Sequence, residues 1–481
     1  MLLAALLASL SLAAVNPHAL VDGAISAMQR TTQLRDVRAV RVTGIQHEFM
    51  FGNAERAEGP WRVFYSQFTE LRNMDAPAFR RTERTITPAG VMSPDRVTVL
   101  ADSVMANRVG PREIGSSHAA YEDAIDRIDG SPERALRLAS ASLSLRSDGT
   151  TTRFGLVFDK VSFPWRNGRM ALEINRETHL PNAVVIVREY PDNFRWAPFG
   201  VITMRAEYVD WTVTPSGAYW PMQAKISLNG EPIRDITYAS VALETTAAPS
   251  DSFAVSDSAR SQYAANSQLN FSKFKFGARG QPTELVPGVV RVPDQWVMTM
   301  VKQSDGVVIF ESHISAQYLG DVIREANRRW PGAPVKAIVL SSDPWAHLGG
   351  FREAVHRGIP IYVNARSVPF LTKLAGSAHP KFMPVRGKTV IGTGDNRIEL
   401  YPVGGPYAER MTMAYFPQHR LLYGADLVFQ NRGPDGRPTS GFLATEVVDL
   451  RRAVEREGLA VDRVFCVQNY GPFPWTSFGE Q

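Results

Sequence analysis

The chain has 481 residues, more than a single compact core usually takes, so two or three domains are expected. Its 44% hydrophobic and 21% charged residues exclude a disordered or fibrous chain. The net charge of +5, from basic residues scattered along the chain, gives no concentrated basic surface for nucleic acid, and a single cysteine excludes an intrachain disulfide.

In chain order, residues 1–14 (MLLAALLASLSLAA) read as a signal peptide, a run too short to span a bilayer, with small residues at Ser11, Ala13 and Ala14 and Pro17 shortly after. The expectation is a secreted, periplasmic protein with no transmembrane segment after cleavage. HALVDGAISAMQR predicts a short helix. From VRAVRVTGIQHEFMFG to ITYASVAL the chain repeats short stretches rich in branched and aromatic residues, parted by turn residues such as Asn167-Gly168 and Asn229-Gly230. This predicts a mostly antiparallel curved sheet over residues 15–250. One helix is expected to start at Ser131 with Pro132 at its first position. GSSHAA, AEGP and NRGPDGRP read as turns. Trp61, Trp196, Trp211 and Trp220 suit sheet-core packing, or else an apolar groove.

Residues 251–280 are polar and weakly periodic, as a linker or strap would be. After them, WVMTMVK and VVIFE flank an Asp305-Gly306 turn, and SAQYLGDVIREANRRW carries apolar residues at helical spacing. VKAIVL, FREAVHRG and IPIYV then alternate strand, helix and strand. IELYPV, MTMAYF and RLLYGADLVF return to strand before the helix TEVVDLRRAVEREG and the strand RVFCV, in which Cys466 reads as buried. The fold class expected is α+β.

DGVVIFE, VKAIVLSSDPWAHLGGFREAV, YFPQHRLLYGADLVF and VDRVFCVQNYGP occur in that order, and residues 281–481 resemble the metallo-beta-lactamase fold, an αββα sandwich. The N-terminal half resembles the curved sheets of LolA-like periplasmic lipoprotein carriers, which implies an apolar ligand. The metallo-beta-lactamase resemblance also implies a metal loop, His-x-His-x-Asp-His-x-Gly-Gly. Anchored on Gly349 and Gly350, its ligand positions here are Ser342, Pro344, Ala346 and His347. A further histidine position falls between Tyr407 and Glu409, an aspartate at Asp426, and a last histidine at Tyr470. Only His347 and Asp426 keep a donor of the expected kind.

Two donors do not build a binuclear centre, because catalytic zinc takes three protein ligands and water. The first expectation is therefore a degenerate site without a cofactor, used in binding or assembly with a small molecule, an apolar ligand or a protein partner. The alternative is a reorganised site for one zinc or other divalent ion. It would be built from Glu311, His313, Asp343, His347 and Asp426, with Glu409 or Tyr470 assisting proton transfer in hydrolysis of an ester, lactone or amide. On the plain structural reading, Asp343 caps the following helix. A Ser342–His347–Asp426 nucleophilic triad matches by residue type but lacks a nucleophile elbow.

Overall fold

The computed structural model describes residues 16–478 apart from 50–60, 88–89, 192, 194–195, 197–198, 268–273, 279, 295, 344–346, 406–407, 429–430, 433–437, 440–443 and 468–470. The expectations for the leader, Pro344, Ala346, Tyr407 and Tyr470 lie outside the described residues. Among those described, no helix is long and apolar enough to cross a membrane.

The protein is α+β, with large sheets in both halves. Between Ala39 and Glu244 runs a thirteen-stranded antiparallel sheet. Chain neighbours pair except at one break, between Arg112–Gly115 and Arg146–Arg153, and the first strand, Ala39–Phe49, also pairs with the last, Glu231–Glu244. That places Arg112–Gly115 and Arg146–Arg153 at opposite edges. The intervening chain crosses the sheet as two helices, His118–Asp129 and Pro132–Ala141, which pack with Pro17–Met28 on one face.

The expected Ser131 start is there, but its hydroxyl donates to Ile128 O at 2.6 Å and to Glu133 at 2.7 Å instead of accepting a capping bond. GSSHAA is a correction: Ser117 accepts from the Ala120 amide at 3.2 Å and caps a helix where a turn was expected.

Beneath the helices, Trp220 and Phe79 are fully buried beside an ion network. Glu70 binds Arg72 at 2.5 Å and Arg81 at 3.0 Å, Arg81 reaches Glu83 at 3.0 Å, and Arg72 reaches Glu133 at 3.1 Å. Buried charges persist where each is paired and hydrogen-bonded. The helices and this network cover that face of the sheet. Trp61 and Trp220 are core residues, whereas Trp196 and Phe199 line a cavity of about 360 Å³ against Phe370 and Leu374 of the second domain.

The second domain is two sheets face to face. The first has seven strands and ends in the parallel series Gly306–Phe310, Val335–Leu340, Ile361–Asn364 and Phe382–Val385. The second has six and includes Ile398–Pro402, Thr412–Phe416, Leu421–Tyr423 and Arg463–Phe465. Val308, Phe310, Leu400, Phe416 and Phe465 share one core between them, with Phe310 and Tyr423 ring centroids 5.1 Å apart. Helix Ala316–Arg329 seals the outer face of the first sheet, through Tyr318, Leu319 and Val322. Helix Ala444–Arg456 seals the second, through Leu450 and Ala453. Helix, two sheets and helix make an αββα sandwich, and Cys466 is buried in it.

Candidate metal centre

Strands Gly306–Phe310 and Val335–Leu340 are parallel neighbours, with Phe310 opposite Val339, so Glu311 and Ser341 leave the sheet at one edge. Glu311 and Ile314 have φ values of +71° and +69°. Two left-handed residues this close fold the intervening Ser312-His313 sharply, a conformation that costs energy outside glycine and needs support. The support comes from the next loop. The Gly350 amide donates to Ser312 O at 2.6 Å, and the Ser312 hydroxyl donates to His347 O at 2.9 Å. A Cβ on Gly349 would stand 2.4 Å from the Ile314 carbonyl, so only glycine lets the loops meet.

His313 and His347 are thereby brought together, at 0% and 2% exposure. His313 Nε2 lies 3.0 Å from His347 Nδ1, His347 Nδ1 lies 3.2 Å from Glu311 Oε2, and His313 Nε2 lies 3.7 Å from the same oxygen. The other nitrogen of His347, Nε2, contacts Asp426 at 2.7 Å. Asp426 reaches it from the turn after Leu421–Tyr423, where Gly424 N bonds Phe465 O and Ala425 is left-handed. The second oxygen of Glu311 accepts from Tyr423 Oη at 2.8 Å, from the Ser341 amide at 3.2 Å and from the Ser341 hydroxyl.

The protonation states follow from these neighbours. Burial and the charge of His347 hold His313 well below the usual imidazole range, so it is neutral with a lone pair. Burial acts the same way on His347 but is outweighed by Asp426 and then Glu311, and its pKa is pushed up to about 10. Burial, reinforced by Glu311, keeps Tyr423 protonated and able to donate.

This arrangement suits a divalent ion. Glu311 Oε2, His313 Nε2 and His347 Nδ1 all lie within 4.8 Å of one another. In a tetrahedral zinc shell with bonds of 2.0–2.1 Å, neighbouring donors are about 3.3 Å apart, and the three separations here scatter around that value. Metal-bound histidines commonly give their remaining nitrogen to a carboxylate, as His347 does to Asp426.

Of the expected donors, Glu311, His313 and His347 face one another, while Asp426 lies on the far side of His347. Asp343 is outside this group and does not cap the helix. Its carboxylate takes Arg410 Nη1 at 2.8 Å, and the helix Phe351–His356 begins after Gly350. Glu409 is likewise away from the cluster, paired with Arg366. Ser342 Oγ lies 3.2 Å from His347 Nδ1, which completes a serine–histidine–aspartate contact chain. With Glu311 sharing that nitrogen and the ring protonated up to about pH 10, His347 is not a base for Ser342. Ser341 and Tyr423, which orient Glu311, read in the sequence only as a loop residue and a strand residue.

No family model matches the chain, and no curated protein matches it. Solved structures similar to it are metallo-beta-lactamase-fold proteins. A metallo-beta-lactamase from Pontibacter korlensis is 19% identical, covering 40% of this chain and 92% of its own, with a TM-score of 0.33. One from Erythrobacter litoralis, solved with beta-mercaptoethanol in its active site, is 13% identical, covering 41% and 91%, with a TM-score of 0.33. A stereoselective inverting sec-alkylsulfatase from Pseudomonas sp. is 17% identical, covering 39% of this chain and 38% of its own, with a TM-score of 0.31. The αββα arrangement rests on the strand order and the shared core described above, not on these alignments.

Proposed function

We propose that the C-terminal domain is a metal-dependent hydrolase that holds one divalent ion, zinc by donor type, through Glu311, His313 and His347. The observation that carries this is the single focus of Glu311 Oε2, His313 Nε2 and His347 Nδ1, with Asp426 on the opposite nitrogen of His347; an ion bound there would displace the Nδ1 proton of His347. A bound ion of this kind polarises a carbonyl and acidifies water, which suits cleavage of an ester, lactone or amide. Tyr423 and Ser341 hold one oxygen of Glu311 so that the other faces the histidines. Asp426 fixes the orientation of the His347 ring.

Calorimetric titration of the chelator-treated protein with zinc tests this directly. Near-stoichiometric binding is expected in the wild type and none in His313→Ala, together with chelator-sensitive turnover in a screen of esters, lactones and amides. Wild-type protein that takes up no zinc would sink the proposal.

A second reading is favoured by the pairing of His347 with carboxylates on both sides. In it the cluster is a buried ionic tie, and the domain serves binding or assembly in the periplasm. That reading expects no zinc uptake, and expects His347→Gln to lower the unfolding midpoint without changing any metal content.

A further inference from the structure

The edge that carries the candidate centre continues past it. Ile361–Asn364 and Phe382–Val385 extend the parallel series, and beyond their C-terminal ends opens a cleft of about 620 Å³. Asn364, Arg366, Arg386, Gly405 and Glu409 line it. In sheets of this kind ligands bind outside the carboxyl ends of the strands.

The cleft and the centre share a wall. The Thr412 amide donates to Ser341 O at 2.7 Å, Arg410 binds Asp343 at 2.8 Å, and Asn364 Nδ2 donates to Met411 O at 3.3 Å. Residues 409–412 therefore touch the loop of His347 on one side and the cleft on the other. Neighbouring strands stand about 4.8 Å apart, so Asn364, two strands from Glu311, sits roughly 10 Å from the centre.

The charges of the cleft are unequal. Arg366 is neutralised by Glu409. Arg386 is exposed and, among the described residues, makes no ion pair or hydrogen bond, which leaves it the uncompensated charge among the described residues lining the cleft. A guanidinium offers a planar pair of donors that matches a carboxylate with both oxygens.

We propose that this cleft binds the anionic end of the substrate, a carboxylate held by Arg386, which follows the third strand from Gly306–Phe310 and so stands roughly 14 Å from the site of cleavage at Glu311, His313 and His347. The proposal rests on the hydrolase reading for the cleavage, but not for the binding. The substrate class it implies is an elongated monoanionic ester or amide, not a compact neutral one. Arg366 is a positioning residue here, keeping Glu409 turned away from the incoming carboxylate.

Two measurements test it. In the first, metal-free protein is titrated calorimetrically with monomethyl suberate. Wild type and His313→Ala are expected to bind alike, Arg386→Gln about tenfold more weakly, and Arg386→Lys in between. Absent binding, or equal binding by Arg386→Gln, overturns the subsite. Stronger binding of inorganic phosphate than of suberate overturns the carboxylate assignment.

In the second, zinc-loaded protein is given mono-4-nitrophenyl suberate and 4-nitrophenyl octanoate. The anionic ester is expected to be preferred, with Arg386→Gln raising its KM about tenfold and collapsing that preference. An equal loss on both esters overturns the proposal. If neither ester is cleaved while suberate binding still depends on Arg386, the hydrolase reading fails and the anion subsite stands.

Discussion

His347 uses both ring nitrogens, and the two uses respond differently to substitution. Its Nδ1 faces the proposed ion and its Nε2 faces Asp426. Asp426→Asn is expected to leave zinc stoichiometry near one while weakening affinity by roughly 10–100-fold, read by competition with a chromogenic chelator. Loss of stoichiometry would instead make Asp426 a ligand. Tyr423→Phe removes one of the donors to a buried carboxylate and is expected to cost about 1–3 kcal/mol in urea unfolding. At this scale the sequence was informative where a donor follows a buried strand, as Glu311, His313, His347 and Asp426 do. It was uninformative for Asp343, because its partner Arg410 lies on a different sheet edge and no local pattern announces that pairing. Tyr423 left a faint signal: a tyrosine in an apolar strand needs a partner for its hydroxyl.

The loop Ser341–Gly350 and the turn Glu311–Ile314 are one device made of two elements. Gly349→Ala would drive a methyl group into the Ile314 carbonyl, so backbone has to move. About 2 kcal/mol of destabilisation is expected, together with lost zinc affinity as His347 shifts away from His313. A variant with wild-type stability and affinity would show that the loops do not depend on that close approach. Strand periodicity and the glycine pair made these elements readable in advance. The helix His118–Asp129 was not, because its buried face carries Glu122 and Asp126. Those carboxylates are matched by Arg188 at 2.9 and 3.0 Å, so charge pairing replaced the apolar stripe by which a helix is recognised.

The molecule has separate apolar cores, one under the thirteen-stranded sheet and one between the two sheets of the sandwich. Calorimetry is expected to resolve two unfolding transitions, with zinc raising only that of the sandwich in the wild type and neither in His313→Ala. The ion network gives the first core an acid dependence. Burial would raise the carboxyl groups of Glu70 and Glu83, but Arg72 and Arg81 outweigh it for the former, and Arg81 and Arg96 for the latter. Both are held down to about 2 from 4.5.

Their contribution is therefore fully present above about 4.5 and is lost as pH falls toward 2. Asp126, which burial pushes up to about 6 against Arg188, works oppositely between about 6 and 3.8. The urea midpoint of the first transition is thus expected to be flat or slightly rising from pH 6 to 4.5, then to fall. Glu70→Gln strands Arg72 and Arg81 without their shared partner and is expected to cost about 3–5 kcal/mol at pH 7.

The pairing of Ala39 with Glu244 sets an order in time. On a chain emerging residue by residue, the Ala39–Phe49 strand can take up its neighbour Val63–Asn73 early, yet its other side stays bare until Glu231–Glu244 has been made. Closing so long a loop is slow, and an open strand edge invites pairing with another chain. The innermost seam of the sheet is thus the last to form, and aggregation during refolding is expected to rise with protein concentration until it closes.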